Sequence, residues 1–120
     1  MEISVGHTPD SDDAFMFYGM FTDKVPSPDF TVNHVIEDIE KLNRKAIDPQ
    51  LDVTAVSVHA CAYIPGYTIL RSGGSFGIGY GPIVTAKKQM SIDEIKKCKI
   101  AIPGKMTSAF LLLQLMIGKF

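Results

Sequence analysis

The sequence predicts an α/β protein built on a mainly parallel sheet with helices on its faces. Short segments with the period-two alternation of a strand are each followed by a segment with helical periodicity, and this pair occurs three times before residue 64. Such a β-α-β-α-β-α order is typical of parallel strands joined by helical crossovers. Of the 120 residues, 46% are hydrophobic and 21% charged, which is typical of globular proteins.

Turn and capping residues delimit the first three strand–helix pairs. Pro9 disfavours helical geometry in the residue before it, and Ser11 or Asp12 can cap the helix that follows. Pro49 ends the second helix and Pro65 the third. The predicted strands are 2–7, 31–36 and 53–56, and the helices that follow them are 13–22, 38–47 and 57–63.

The second half of the chain predicts three more strands around a glycine-rich segment. Five glycines lie between Gly73 and Gly81, but a dinucleotide fingerprint would need a third glycine where Pro82 stands. We interpret this segment as a crossover between two lobes. Ser91 and Glu94 have the spacing of a capping box. The predicted strands are 67–71, 82–87 and 99–102, and the predicted helices are 91–97 and 107–118.

A change of composition near Lys87 predicts two lobes. Residues 1–86 suffice for a first α/β lobe, whereas residues 87–120 supply too few elements for a domain and predict the start of a second, incomplete lobe. The helix 107–118 is apolar on nearly every face, so it should be buried on all sides. We therefore expect this helix to mediate self-association in the isolated chain.

Charge and hydropathy exclude several classes of partner. The net charge of −1 comes from interspersed acidic and basic residues, which predicts no nucleic-acid partner. No apolar run is long enough to cross a membrane, and the residues after Met1 do not form a secretory signal. A cytoplasmic protein with reduced Cys61 and Cys98 is expected. An EF-hand calcium loop that began at Asp10 would need an oxygen ligand at its fifth position, where Ala14 stands. No metal site is therefore predicted.

The segment from Ile100 to the helix start at Thr107 is the first candidate ligand site. A strand end, a turn containing Gly104 and hydroxyls at a helix start favour an anionic or polyhydroxylated ligand. The alternative is that Thr107 or Ser108 only caps its own helix. A phosphate-binding P-loop is rejected because Met106 stands where that motif needs Ser or Thr.

The turn containing Asp12 lies at the carboxyl end of the first strand, where open α/β sheets bind ligands. His7 ends the same strand and is compatible with either a structural role or a role as a base. For His34 and His59 the structural interpretation is favoured.

Four motifs resemble the 1,4-dihydroxy-6-naphthoate synthase family of the futalosine route to menaquinone. They are TPDSDDAFMF (8–17), VIEDIEKLNR (35–44), LRSGG followed by GYGPIV (70–84) and IAIPGKMTSAFLLL (100–113). The related chorismate dehydratase matches these motifs less closely. A small-carboxylate solute-binding lobe is an alternative from a different functional class.

The resemblance implies a two-lobed, periplasmic-binding-protein-like type II fold with substrate in the cleft. It implies a cytosolic carbon–carbon lyase that needs no cofactor and cleaves cyclic dehypoxanthine futalosine. Ser57, Thr107, Ser108 and Asn43 match positions that line the cleft, and Asp12 stands where family members often have Asn. The family's histidine base is expected beyond Phe120, so residues 1–120 are expected to be an amino-terminal part, inactive alone.

Overall fold

A computed structural model describes residues 1–26 and 28–118. The elements in this part of the chain follow the predicted order through the third helix. Their bounds are β1 Glu2–His7, α1 Ser11–Phe21, β2 Thr31–Ile36, α2 Ile39–Ile47, β3 Val53–Thr54, α3 Val58–Cys61, α4 Ile92–Ile95 and α5 Ser108–Ile117.

The three strands form one parallel sheet in the order β2-β1-β3. The β1–β2 register runs from Glu2 opposite Thr31 to His7 opposite Ile36. The predicted parallel α/β architecture is therefore confirmed for the amino-terminal half. Because all three strands point the same way, the helices that follow them begin at the same carboxyl edge of the sheet.

Side chains extend the short pairing between β1 and β3. The Asp52 carboxylate accepts hydrogen bonds from the backbone N–H of Ser4 at 2.8 Å and from its hydroxyl at 2.6 Å. The Ser4 hydroxyl in turn accepts from the Asp52 N–H at 2.9 Å. These bonds join the two strands before Val53. β3 itself has two residues and ends before the predicted limit at residue 56.

The core lies between the sheet and α2. Leu42, Asn43 and Ala46 on α2 are completely buried, and Val5 of β1 is 2% exposed. A Cβ at Gly6 would come within 2.6 Å of Leu51 and 2.9 Å of Leu42. Glycine in the central strand therefore lets α2 pack closely against the sheet.

The predicted strands 67–71, 82–87 and 99–102 are wrong, because these segments are irregular. Their sequences have strand propensity, but a strand forms only when a neighbour takes its backbone hydrogen bonds, and no described element pairs with them. Residues 68–89 are exposed. The short helices α3 and α4 also end before their predicted limits at residues 63 and 97.

Two predicted helix starts have different outcomes. The capping box of Ser91 and Glu94 is confirmed, with both reciprocal bonds present. The predicted caps of α1 are wrong: Asp10 is the N-cap residue and its side chain makes no capping bond. Instead, the buried Asp13 carboxylate accepts from the Thr8 N–H at 2.6 Å, which holds the turn between β1 and α1.

Within the described chain α5 is covered on one side only, and its predicted cover by a further partner stays a prediction. Leu113 and Ile117 are buried, with 9% and 5% exposure, but Leu115 is 74% exposed. The described chain is elongated, with extents of 56 × 28 × 22 Å. Within it, none of the helices has the length and hydropathy needed to cross a membrane.

Candidate functional site

Four predicted site residues meet where α2, α3 and α5 approach one another at the carboxyl edge of the sheet. Asn43 and Ser57 form a reciprocal pair: the Asn43 Nδ2 donates to the Ser57 hydroxyl at 3.1 Å, and the Ser57 N–H donates to Asn43 Oδ1 at 2.8 Å. Because Asn43 is completely buried and bonded twice, it holds the start of α3 in one orientation.

The start of α5 joins this group through α3. The backbone N–H of His59 donates to the Ser108 hydroxyl at 3.2 Å. The His59 ring places Nδ1 3.2 Å from the Thr107 carbonyl oxygen. Ser57, Asn43, Thr107 and Ser108 therefore belong to one continuous hydrogen-bonded cluster, which we call the edge cluster.

The Thr107 hydroxyl caps its own helix. It accepts from the Phe110 N–H at 3.2 Å and donates to the Gly104 carbonyl at 2.7 Å, and the residue is 3% exposed. Its donor is therefore occupied. Thr107 therefore caps its own helix, and its predicted contact with a ligand stays a prediction.

The other two hydroxyls keep their donors available. Ser57 and Ser108 each accept one hydrogen bond from a protein N–H, and no acceptor for either O–H is found among residues 1–26 and 28–118. The backbone amides of Ser108 and Ala109, at the first two positions of α5, likewise have no acceptor there. The edge cluster thus presents four hydrogen-bond donors beside the positive end of a helix dipole.

Glu40 is a residue of this region that the sequence reasoning missed. The i,i+4 spacing of Glu40 and Arg44 on α2 predicts a surface ion pair, and that pair is present at 3.1 Å. The other oxygen of Glu40 accepts from the backbone N–H of Met106 at 2.9 Å, across 66 positions of sequence. A Cβ at Gly104 would overlap the Glu40 side chain, and Gly104 has φ +150°. In the sequence, only the turn at Pro103 and Gly104 indicated that another element passes close to this backbone.

Asp12 lies apart from the edge cluster in the described contacts. It is exposed in the first turn of α1, and a hydrogen bond from the Ser75 side chain lowers its pKa. A Cβ at Gly73 would lie 3.2 Å from the Met16 sulfur, so the glycine-rich segment passes close to α1. Asp12 therefore contacts that segment and not the other four candidates.

An apolar cavity of about 450 Å³ adjoins the edge cluster. It lies between α3 and α5, and Ser108 is one of the residues that line it. The residues that line it are Val58, His59, Ala62, Ser108, Leu111 and Leu112.

The other two histidines lie together on the sheet. His7 is 2% exposed and stacks on Phe17 with ring centroids 4.8 Å apart. His34 packs on Phe21 at 3.8 Å and lies 5.6 Å from His7. Burial, and then the nearby His7, lower the pKa of His34. Both rings pack against aromatic side chains of α1. In the described part of the chain no cluster of three or more metal-ligating side chains is found.

The fold and the edge cluster define an α/β protein whose parallel sheet presents hydrogen-bond donors at its carboxyl edge. A family model described as "Menaquinone biosynthesis" matches residues 3–120, and the chain belongs to this family. It is 37% identical over 114 residues to a 1,4-dihydroxy-6-naphthoate synthase from Thermus thermophilus, a match covering 94% of this chain. The comparisons do not favour the solute-binding lobe or the chorismate dehydratase.

A crystal structure of protein AF1704 from Archaeoglobus fulgidus has a similar fold. The TM-score is 0.88 with 51% sequence identity, and the match covers 97% of this chain. The chain spans 41% of the Thermus synthase and 43% of the Archaeoglobus protein.

Proposed function

We propose that the edge cluster binds the carboxylate of a small-molecule substrate in a 1,4-dihydroxy-6-naphthoate synthase reaction. The observation that carries this proposal is the state of the Ser57 and Ser108 hydroxyls. Each accepts one protein N–H on its oxygen, and its O–H has no acceptor among the described residues, so each can donate to a ligand. Hydroxyl donors suit a ligand that only accepts, such as a carboxylate.

Two further features support a carboxylate attached to an aromatic ring. The free amides of Ser108 and Ala109 add helix-terminal donors, which favour negative charge. The adjoining apolar cavity of about 450 Å³ would accept the hydrocarbon part of the ligand. The product named in the Thermus relative, 1,4-dihydroxy-6-naphthoate, has both parts.

The reaction is, by the resemblance, a carbon–carbon cleavage of cyclic dehypoxanthine futalosine in the cytoplasm, without a cofactor. Residues 1–86 form the first lobe of a periplasmic-binding-protein-like type II fold, and residues 87–120 belong to a second lobe. In such a fold the edge cluster faces the cleft between the lobes. Its role is to hold and orient the substrate, since oriented binding contributes to catalysis without a reacting side chain.

Asp12 belongs to the proposed site in a different way. Its carboxylate accepts from Ser75, so we expect it to order the glycine-rich segment beside the ligand and not to bind the carboxylate. Asp12→Asn keeps an acceptor for Ser75 and removes the charge. It should therefore leave the affinity for the carboxylate unchanged or raise it.

Calorimetric titration with two ligands tests the binding step. 1,4-Dihydroxy-6-naphthoate is compared with 1,4-dihydroxynaphthalene, which has the same rings and hydroxyls but no carboxylate. We expect the carboxylate to improve affinity by at least about tenfold, since hydrogen bonds to a charged group are worth about 1.5–3 kcal/mol. Equal affinities for the two ligands would contradict carboxylate recognition.

Serine-to-alanine variants test where the carboxylate of the ligand binds. Ser57→Ala and Ser108→Ala each remove one proposed donor, and each should weaken binding of the carboxylate by about tenfold or more while leaving the dihydroxynaphthalene unaffected. Ser11→Ala, which removes an exposed hydroxyl on α1, is the matched control. An unchanged affinity in both edge variants would place the ligand elsewhere.

A further inference from the structure

Two connections hold the start of α5 to the rest of the protein, and the proposed ligand contacts explain neither. One runs from Glu40 to the backbone of Met106, and the other runs from His59 to the Thr107–Ser108 peptide. We propose that His59 is a positioning residue that fixes the start of α5 against α3, so that the Ser57 and Ser108 donors face one ligand. This inference rests on the proposed carboxylate site.

The His59 side chain acts on the backbone of the helix start. The Thr107 carbonyl accepts from the Leu111 N–H at 3.2 Å, which is the first bond of α5, and from His59 Nδ1 at the same distance. A carbonyl oxygen has two lone pairs, so both bonds form together. The ring therefore fixes the plane of the peptide that ends at Ser108.

The same contact determines the tautomer of the ring. Because a carbonyl oxygen can only accept, Nδ1 carries the hydrogen in this contact, and the neutral ring leaves Nε2 as an acceptor. Tyr63 meets the ring edge-on, with centroids 5.4 Å apart, which restricts its rotation. No protein partner for Nε2 is found among the described residues.

The backbone bond from His59 to Ser108 completes the connection. The His59 N–H occupies one lone pair of the Ser108 oxygen, and the Ser108 hydroxyl hydrogen has no acceptor among the described residues. Loss of the ring would leave this bond and the Glu40–Met106 bond as the side-chain and backbone hydrogen bonds that join residues 104–108 to α2 and α3 in the described chain. The start of α5 should then open more often while the sheet stays folded.

Three substitutions at His59 separate positioning from direct ligand contact. His59→Asn places an amide nitrogen at the position of Nδ1 and lacks Nε2. His59→Gln reaches the position of Nε2 and lacks the Nδ1 donor. His59→Leu lacks both, and Val58→Ala changes the neighbouring position of α3 without touching Thr107.

Amide hydrogen exchange in the full 120-residue protein, without ligand, is the first measurement. Exchange at Phe110 and Leu111 should be about five- to tenfold faster in His59→Leu and His59→Gln, the size expected for one net hydrogen bond. It should stay within about twofold of wild type in His59→Asn and Val58→Ala. Equal exchange in all four variants, or an increase that includes Val5 of β1, would overturn the inference.

Affinity for 1,4-dihydroxy-6-naphthoate is the second measurement. We expect about tenfold weaker binding in His59→Leu and His59→Gln and rescue in His59→Asn. Binding retained by His59→Gln and lost in His59→Asn would overturn positioning in favour of a direct Nε2 contact. If the wild-type protein does not bind the ligand, the proposed function fails, and the exchange measurement alone decides whether His59 fixes α5.

Discussion

Replacing Asn43 by alanine should destabilise the protein and weaken ligand binding together. The substitution removes the hydrogen bonds of 3.1 and 2.8 Å that join α2 to Ser57. Each is worth about 0.5–1.5 kcal/mol net, and the Ser57 N–H is left without its acceptor, so we expect a loss of about 2–3 kcal/mol in the free energy of unfolding. Burial of Asn43 makes replacement of these bonds by water difficult.

Urea unfolding followed by circular dichroism measures this loss. The midpoint should fall while the slope m stays constant, because the surface exposed on unfolding is unchanged. Asn33→Ala, on the exposed side of β2, is the matched control and should change stability by less than about 0.5 kcal/mol. A loss for Asn43→Ala no larger than that of the control would refute the reasoning.

A double-mutant cycle with Ser57→Ala isolates one of the two bonds. Ser57→Ala alone removes the side-chain acceptor of Asn43 and keeps the backbone bond to Oδ1. The two substitutions should be non-additive by about 0.5–1.5 kcal/mol, the net value of the Nδ2–hydroxyl bond. Additive effects would mean that this bond contributes nothing.

Three further predictions concern other parts of the molecule. Gly104→Ala should cost about 1–3 kcal/mol, because φ is +150° and a Cβ would overlap Glu40; an unchanged melting temperature would contradict this. Burial, and then the nearby His7, lower the pKa of His34 in the folded state, so the unfolded chain binds the proton more readily. The free energy of unfolding should therefore fall as the pH drops below about 6.5. Urea titrations at several pH values should show a weaker pH dependence for His34→Gln than for the wild type. We also propose that α5 mediates self-association, so sedimentation should be concentration-dependent and Leu115→Glu should make the protein monomeric; concentration-independent wild-type sedimentation would contradict this.

The amino-terminal half could be predicted because its signals are local. Alternation in 2–7 and 31–36 and turn residues act within a few positions, and parallel crossovers then fix the topology. In the second half, residues 67–71 and 82–87 have the composition of strands. Composition does not supply the neighbouring strand, and these segments are therefore irregular in the described chain.

The grouping of candidate residues was predictable where it follows from position in the fold, and their role in binding stays a prediction. Ser57 and Ser108 stand at helix starts near the sheet edge, and the family resemblance pointed to the same residues. Glu40 was missed because its partner Met106 is 66 residues away along the chain. For His59 the sequence favoured a structural role but could not indicate its partner Thr107, which is 48 residues away. A glutamate beside an arginine on a helix predicts a surface pair, and nothing near it in sequence indicates the second contact.

The central claim is that the edge cluster holds a carboxylate, and a crystal structure of the protein with 1,4-dihydroxy-6-naphthoate tests it most directly. We expect the carboxylate oxygens within about 3.2 Å of the Ser57 and Ser108 hydroxyls and of the Ala109 N–H. We expect the rings to enter the cavity between α3 and α5. A ligand bound with its carboxylate away from both hydroxyls, or bound only beside Phe21 and His34, would contradict the account.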